Sequence, residues 1–152
     1  MVAATLEIAP VPLKIELKPF ERLLIGGAAI RNGSRRSSFV IETMTKFLRE
    51  SDIITESEAD TACKRLYLTL TVIYLTDNAP EAENAFVLQA NELISAVPTT
   101  APYVKDICAL MAAREFYKAL KRGKELVQYE RALADRLAGT LAAGETSASQ
   151  AP

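Results

Sequence analysis

Histidine is missing from all 152 residues, and that absence removes more chemistry than any motif adds. Without imidazole there is no Ser-His or Cys-His nucleophile pair, and the commonest transition-metal ligand is lost. Cysteine is scarce as well: Cys63 and Cys108 stand far apart with no C-x-x-C pattern, the distribution of small buried apolar groups in a reducing compartment. No apolar stretch reaches the roughly 18 residues a membrane span requires. The opening MVAATLEIAPV has no basic run ahead of an apolar one, so nothing there reads as an export signal and a cytoplasmic location is expected. Also absent are an RNP aromatic motif, a GXXG loop and a Gly-rich phosphate cradle. What remains for catalysis is carboxylates, and Glu50, Asp52, Glu56, Glu58 and Asp60 read as the charge run of a helix start. The sequence therefore predicts no enzyme, no cofactor and no metal.

What is present is a polarised charge distribution. The formal net charge is only −1, yet positions 11–49 hold eight Lys/Arg against three Glu, while positions 50–152 hold ten against fifteen Asp/Glu. A local excess of +5 beside a deficit of −5 favours a localised anionic partner over general adhesion.

The hydrophobic period changes along the chain at the same place as the charge. Residues 1–11, with Pro10 and Pro12 at their end, read as an N-terminal extension. Leu13, Ile15 and Leu17 alternate with Lys14, Glu16 and Lys18, the period of two of a half-buried strand. Further strands are expected over Arg22 to Ile25, Ala28 to Arg31 and Ser37 to Glu42, and a short one over Thr45 to Arg49. Gly26-Gly27 and Asn32-Gly33 between them supply the positive φ of tight hairpin turns. Leu13, Ile15, Leu17, Ile25, Ile30 and Val40 are the expected buried face. From Thr55, spaced as a capping box with Glu58, helices take over. KRLYLTLTVIYL (Lys64 to Leu75) has strand-like alternation, but its length and its cap signals favour a largely buried helix. Asp77, Asn78 and Pro80 start a second helix, Thr100 and Pro102 a third, and a turn near Ala113 to Arg114 leads into a fourth. The fourth is expected to pack through Phe116, Ala119, Leu120, Val127, Leu133 and Leu137. Gly123 inside it costs about 1 kcal/mol relative to Ala, which marks a close helix approach. The expected architecture is α+β: an N-terminal antiparallel β-meander and then about four helices. Its divisions are an extension over 1–11, a basic meander over 12–50, a helical part over 51–138 and a disordered tail over 139–152.

Arg31, Arg35 and Arg36 flank Asn32-Gly33 and are the candidate RNA-binding residues, with Lys46 and Arg49 extending the track. Guanidiniums bind phosphate bidentately and stack on exposed bases. The same residues would equally make a solvated strand edge guarded against pairing. On the fourth helix, Tyr117, Lys121 and Lys124 share an outward face suited to a protein partner. REFYKAL (Arg114 to Leu120) resembles the second-helix start of a tetratricopeptide unit, and a single such unit marks a helical hairpin.

Five segments occur in order: PLKIELKP (Pro12 to Pro19), IRNGSRR (Ile30 to Arg36), FLRESDIIT (Phe47 to Thr55), EAD-x-x-x-KR-x-Y (Glu58 to Tyr67) and FYKAL…LVQYE (Phe116 to Glu130). Together they resemble the FlbT family, flagellum biosynthesis repressors of alphaproteobacteria. The resemblance implies a cytoplasmic post-transcriptional regulator that binds the 5′ untranslated region of flagellin messenger RNA and promotes its degradation. The alternative is a protein-interaction adaptor of flagellar assembly that acts on flagellin or another flagellar regulatory protein, with indirect effects on RNA. Neither reading involves a membrane, and a homo-oligomer is compatible with both. Two positions depart from the family pattern: Phe20 stands where a glycine usually follows Lys-Pro, and Gly26 where asparagine often precedes the glycine of the first hairpin. An apolar Phe20 at a turn is either core or contact surface.

Overall fold

A computed structural model of the protein describes residues 12–76 and 78–150, with side chains described as far as Thr140. The N-terminal extension over 1–11 and Asp77 lie outside the described residues. Strands β1 (Leu13–Leu17), β2 (Arg22–Ile25), β3 (Ala28–Arg31), β4 (Ser37–Ile41) and β5 (Phe47–Arg49) precede helices α1 (Ala62–Leu75), α2 (Pro80–Ala96), α3 (Ala101–Ala112) and α4 (Phe116–Gln150). The α+β class and the order of elements are those the sequence predicts. The chain forms two compact units: one runs to Ile53 and takes in Tyr74–Asn78, and the other holds Ile54–Ile73 and the chain from Ala79 onward.

In the first unit the strands do not form one meander. They make a two-stranded sheet, β1-β4, and a three-stranded sheet, β3-β2-β5, all antiparallel. Gly26-Gly27 is the expected two-residue turn between paired β2 and β3, and Gly26 takes φ +55° there, as the first central position of such a turn requires. Asn32-Gly33 is not a hairpin turn, because β4 leaves β3 to pair with β1. Ile15, Leu17 and Leu23 are fully buried, and Leu13, Ile25, Phe39, Ile41 and Phe47 pack against them.

Two expected core residues are on the surface. Val40 is 51 % exposed and lies opposite Lys14, while Phe39 and Ile41 lie opposite Ile15 and Leu13 and face inward. Side chains alternate faces along a strand, so the pairing of β4 with β1 puts its odd-numbered residues on the core side. Ile30 is 40 % exposed although its cross-strand partner Leu23 is buried, because β3 is an edge strand and all four of its residues are exposed.

In the second unit α1 buries Cys63, Leu66, Tyr67, Leu70, Thr71 and Ile73, a helical spacing, and leaves Val72 exposed. Thr55 and Glu58 do bond to each other, with Thr55 Oγ1 donating to Glu58 Oε1 at 2.7 Å, but they close a turn rather than open the helix. The cap is Thr61: its Oγ1 accepts the Lys64 N–H at 3.2 Å and its carbonyl accepts Arg65 N–H at 2.9 Å. Glu130 of α4 completes the cap, accepting the Cys63 N–H at 3.2 Å and the Thr61 hydroxyl. A carboxylate at a helix N-terminus meets both the orphan donors and the positive end of the dipole.

Helices α3 and α4 form a hairpin closed at Arg114, whose φ of +62° and bond to the Met111 carbonyl at 3.0 Å end α3. Gly123 faces α1 as its position suggests: a β-carbon there would lie 2.9 Å from Leu70 Cδ1 and 3.1 Å from Tyr67 Cδ1. Along α4 the buried residues among those described are Ala119, Leu120, Gly123 and Leu126, whereas Val127 is half-buried and Leu137 exposed. Cys108 is exposed rather than buried. The helix continues to Gln150, beyond the boundary expected near Leu137 and through most of the expected tail.

Candidate nucleic-acid interface

The basic residues of the first unit are organised by one amide. Asn32 Nδ2 donates to the carbonyls of Lys18 (2.8 Å), Arg35 (2.9 Å) and Leu17 (3.3 Å). Its Oδ1 accepts the Gly33 N–H at 2.9 Å and the Ser37 hydroxyl at 2.7 Å. Asparagine can fill both roles because its side chain carries acceptor and donor on one rigid plane. The result ties the Lys18–Glu21 turn to the loop 32–37, so that Lys18, Arg35 and Arg36 occupy two braced loops rather than a flexible hairpin tip, with Arg31 at the end of β3 beside them.

Within this group the arginines differ in what they can offer a ligand. Arg31 lies directly opposite Arg22, so both side chains occupy one face of the sheet. Like charges in that position repel; here each has an oxygen to offset the repulsion. Arg31 Nη1 donates to the Phe20 carbonyl at 3.0 Å, and Arg22 Nε lies 3.6 Å from Glu50 Oε1. Arg35 and Arg36 are exposed, and their guanidiniums have no partner among the described residues. Lys18 is exposed beside them.

The two residues expected to extend the track are placed differently. Arg49 is opposite Leu23, hence on the other face from Arg31, and its Nη2 donates to the Glu16 carbonyl at 2.8 Å. Lys46 is half-buried with its ammonium 5.7 Å from the Tyr74 ring centroid. The structure therefore gathers Arg31, Arg35 and Arg36 with Lys18, and does not bring Lys46 or Arg49 into that group.

Phe20 is the residue that sequence reasoning left unresolved. Glu21 N–H bonds to the Lys18 carbonyl at 3.1 Å, which makes Pro19 and Phe20 the central pair of a β-turn. Phe20 has φ +61°, the value that a turn of this kind demands at its second central position and that usually selects glycine. Phe20 is 56 % exposed. The Lys-Pro-x-Glu spacing was the available signal, since Pro favours the first central position and Glu21 Oε1 can then cap the Lys18 N–H, here at 2.8 Å.

In the second unit Tyr117 and Lys121 are exposed on α4, with the Lys121 ammonium 5.0 Å from the Tyr117 ring centroid, and Lys124 is half-buried. Nearby, Arg122 stacks over Tyr103 at 4.2 Å and binds Asp106 at 2.9 Å and Glu125. Tyr103 stacks on Tyr129 at 5.1 Å, and the Tyr129 hydroxyl bonds to Thr99 at 2.6 Å. This second cluster is internally satisfied and fastens α3 to α4. Among the described residues no group of His, Cys, Asp or Glu is arranged to hold a metal ion, and no helix is long and apolar enough to cross a membrane.

The family profile for flagellar protein FlbT matches residues 13–134. The chain is 36 % identical over 125 residues to "Probable flagellum biosynthesis repressor protein FlbT" of Rhodopseudomonas palustris strain TIE-1, covering 82 % of this chain and 99 % of that one. It is 36 % identical over 124 residues to the protein of the same name from Caulobacter sp. strain K31, covering 78 % and 93 %. It is 33 % identical over 124 residues to "Flagellum biosynthesis repressor protein FlbT" of Caulobacter vibrioides CB 15, covering 78 % and 86 %. No solved structure matches the chain.

Proposed function

Because this chain belongs to the FlbT family of flagellar proteins, we propose that it is a post-transcriptional repressor of flagellum biogenesis. In this reading it binds the 5′ untranslated region of flagellin messenger RNA in the cytoplasm and promotes that message's degradation. The names of the relatives support the repressor role. The observation that supports RNA as the target is the pair Arg35 and Arg36, two exposed guanidiniums without partners among the described residues, on a loop braced by Asn32. Braced loops present charge without a large ordering cost on binding, and unpaired guanidiniums retain their full capacity for phosphate.

The proposed RNA-binding set is Arg31, Arg35 and Arg36; Arg49, on the other face of the sheet, and half-buried Lys46 stand outside it. In this reading the protein exposes or delivers the message and does not itself cleave it. Recovery of the purified protein with its bound RNA from cells, followed by sequencing with and without nuclease treatment, tests the proposal. Enrichment of flagellin leaders is the expected result. Recovery of proteins alone, insensitive to nuclease, would favour an adaptor that engages flagellin or another flagellar regulator through Tyr117, Lys121 and Lys124.

A further inference from the structure

We propose that Phe20 is a stacking platform for an unpaired RNA base, with Lys18, Arg35 and Arg36 holding the phosphates on either side. This rests on the RNA-binding reading above and specifies the nucleic acid as single-stranded at the point of contact.

Phe20 holds φ +61°, a region that L side chains rarely enter, and such outliers persist only where surrounding bonds over-determine them. Here they do. The Phe20 N–H bonds to the Gly33 carbonyl at 2.9 Å, its carbonyl accepts from Arg31 Nη1 at 3.0 Å, and Asn32 N–H bonds to the Glu21 carbonyl at 2.8 Å. Glycine would meet the same backbone requirement without a side chain to accommodate. The phenyl ring therefore needs another explanation, and packing does not supply it. The unit's core is built from Ile15, Leu17 and Leu23 with their neighbours and does not include Phe20, which is exposed.

Surroundings indicate the ligand. The carbonyls of Lys18 and Arg35 share the Asn32 amide as donor, so the two basic loops meet beside the turn that carries Phe20. Glu21, the one carboxylate of the turn, is occupied by the Lys18 N–H at 2.8 Å. An exposed aromatic ring set among cations is how proteins hold single strands: bases stack on the ring while the backbone follows the charge. A duplex keeps its bases stacked on each other and offers no face to Phe20.

Three substitutions test the assignment against a transcribed flagellin leader RNA. The protein contains no tryptophan, so Phe20→Trp introduces a single indole at the site. Its fluorescence is expected to be quenched on RNA binding, with affinity retained. Phe20→Gly suits the backbone better than Phe does, so a loss in that variant cannot be laid to misfolding; about tenfold or more weaker binding is expected, as is typical of losing one stacked base. Phe20→Leu keeps apolar bulk and should weaken binding similarly. The salt dependence should be unchanged in all three, because no phosphate contact is removed. If the wild-type protein binds the leader with a strong salt dependence while Phe20→Gly and Phe20→Leu match it and the Phe20→Trp signal does not change, stacking is refuted and RNA binding stands. If the wild-type protein shows no salt-dependent binding to the leader, both readings fall.

Discussion

Asn32 concentrates in one side chain the interactions that shape the basic loops, and its replacement should be correspondingly costly. Asn32→Ala removes a donor shared by three carbonyls and an acceptor for Gly33 and Ser37. At about 1 kcal/mol net per hydrogen bond, with solvent replacing part of the loss, destabilisation of about 2–3 kcal/mol is expected in urea titration. A change below about 0.5 kcal/mol would show that the loops are not held by this residue. Phe20→Gly should act in the opposite direction. Relief of about 1–2 kcal/mol of left-handed strain exceeds the roughly 0.5–1 kcal/mol entropic cost of glycine, so the midpoint of unfolding should stay level or rise. Asn32 also shows where residue-scale reading of the sequence misleads. Next to Gly33 it signals a hairpin turn, yet its amide is used to bond across loops, and the pairing of β4 with β1 that this permits is invisible in the local sequence.

At the scale of elements, α1 is held from its first turn and from its flank by α4. Glu130 accepts from Thr61 and from the Cys63 N–H, and Glu130→Ala should cost about 1–3 kcal/mol by leaving those donors unpaired. Gly123 sets the distance between the two helices. A β-carbon there would press on Leu70 and Tyr67, so overpacking of about 1–3 kcal/mol competes with about 1 kcal/mol of gained helix propensity. Gly123→Ala should therefore be destabilising by no more than about 2 kcal/mol, and Gly123→Val by clearly more. Cys63 reports the same packing. Burial, and then the Glu130 carboxylate, push its thiol from the ordinary 9.0 up to about 12, so at neutral pH alkylation should reach exposed Cys108 and spare Cys63 until the unit unfolds. The unfolded chain gives up that proton first. Stability should thus fall as pH rises above about 9, and Cys63→Ala should blunt the fall. The sequence showed these helices well where periodicity and breakers agreed, as at Pro80 and Gly123. It misplaced the start of α1 because Thr55 and Glu58 mimic a cap, while the residue that completes the real one, Glu130, is 69 positions from Thr61.

For the whole molecule the deciding property is the separation of charge along the chain. The +5 excess over positions 11–49 is carried partly by residues with structural duties, since Arg31 and Arg49 bond to backbone carbonyls and Arg22 lies by Glu50. Composition could show the excess but not this division of labour, which depends on strand pairing. Arg35 and Arg36 are consequently the clean probes, whereas Arg31→Ala would also release the Phe20 turn. The most direct measurement is the affinity of the protein for a flagellin leader RNA across a salt series, compared with the Arg35→Ala, Arg36→Ala double variant. With each phosphate contact on a single strand contributing about 0.7 to the log-log slope, the double variant should remain folded, bind more weakly and show a slope shallower by about 1.4. An unaltered affinity and slope would contradict the account and leave the basic loop as a solvated edge.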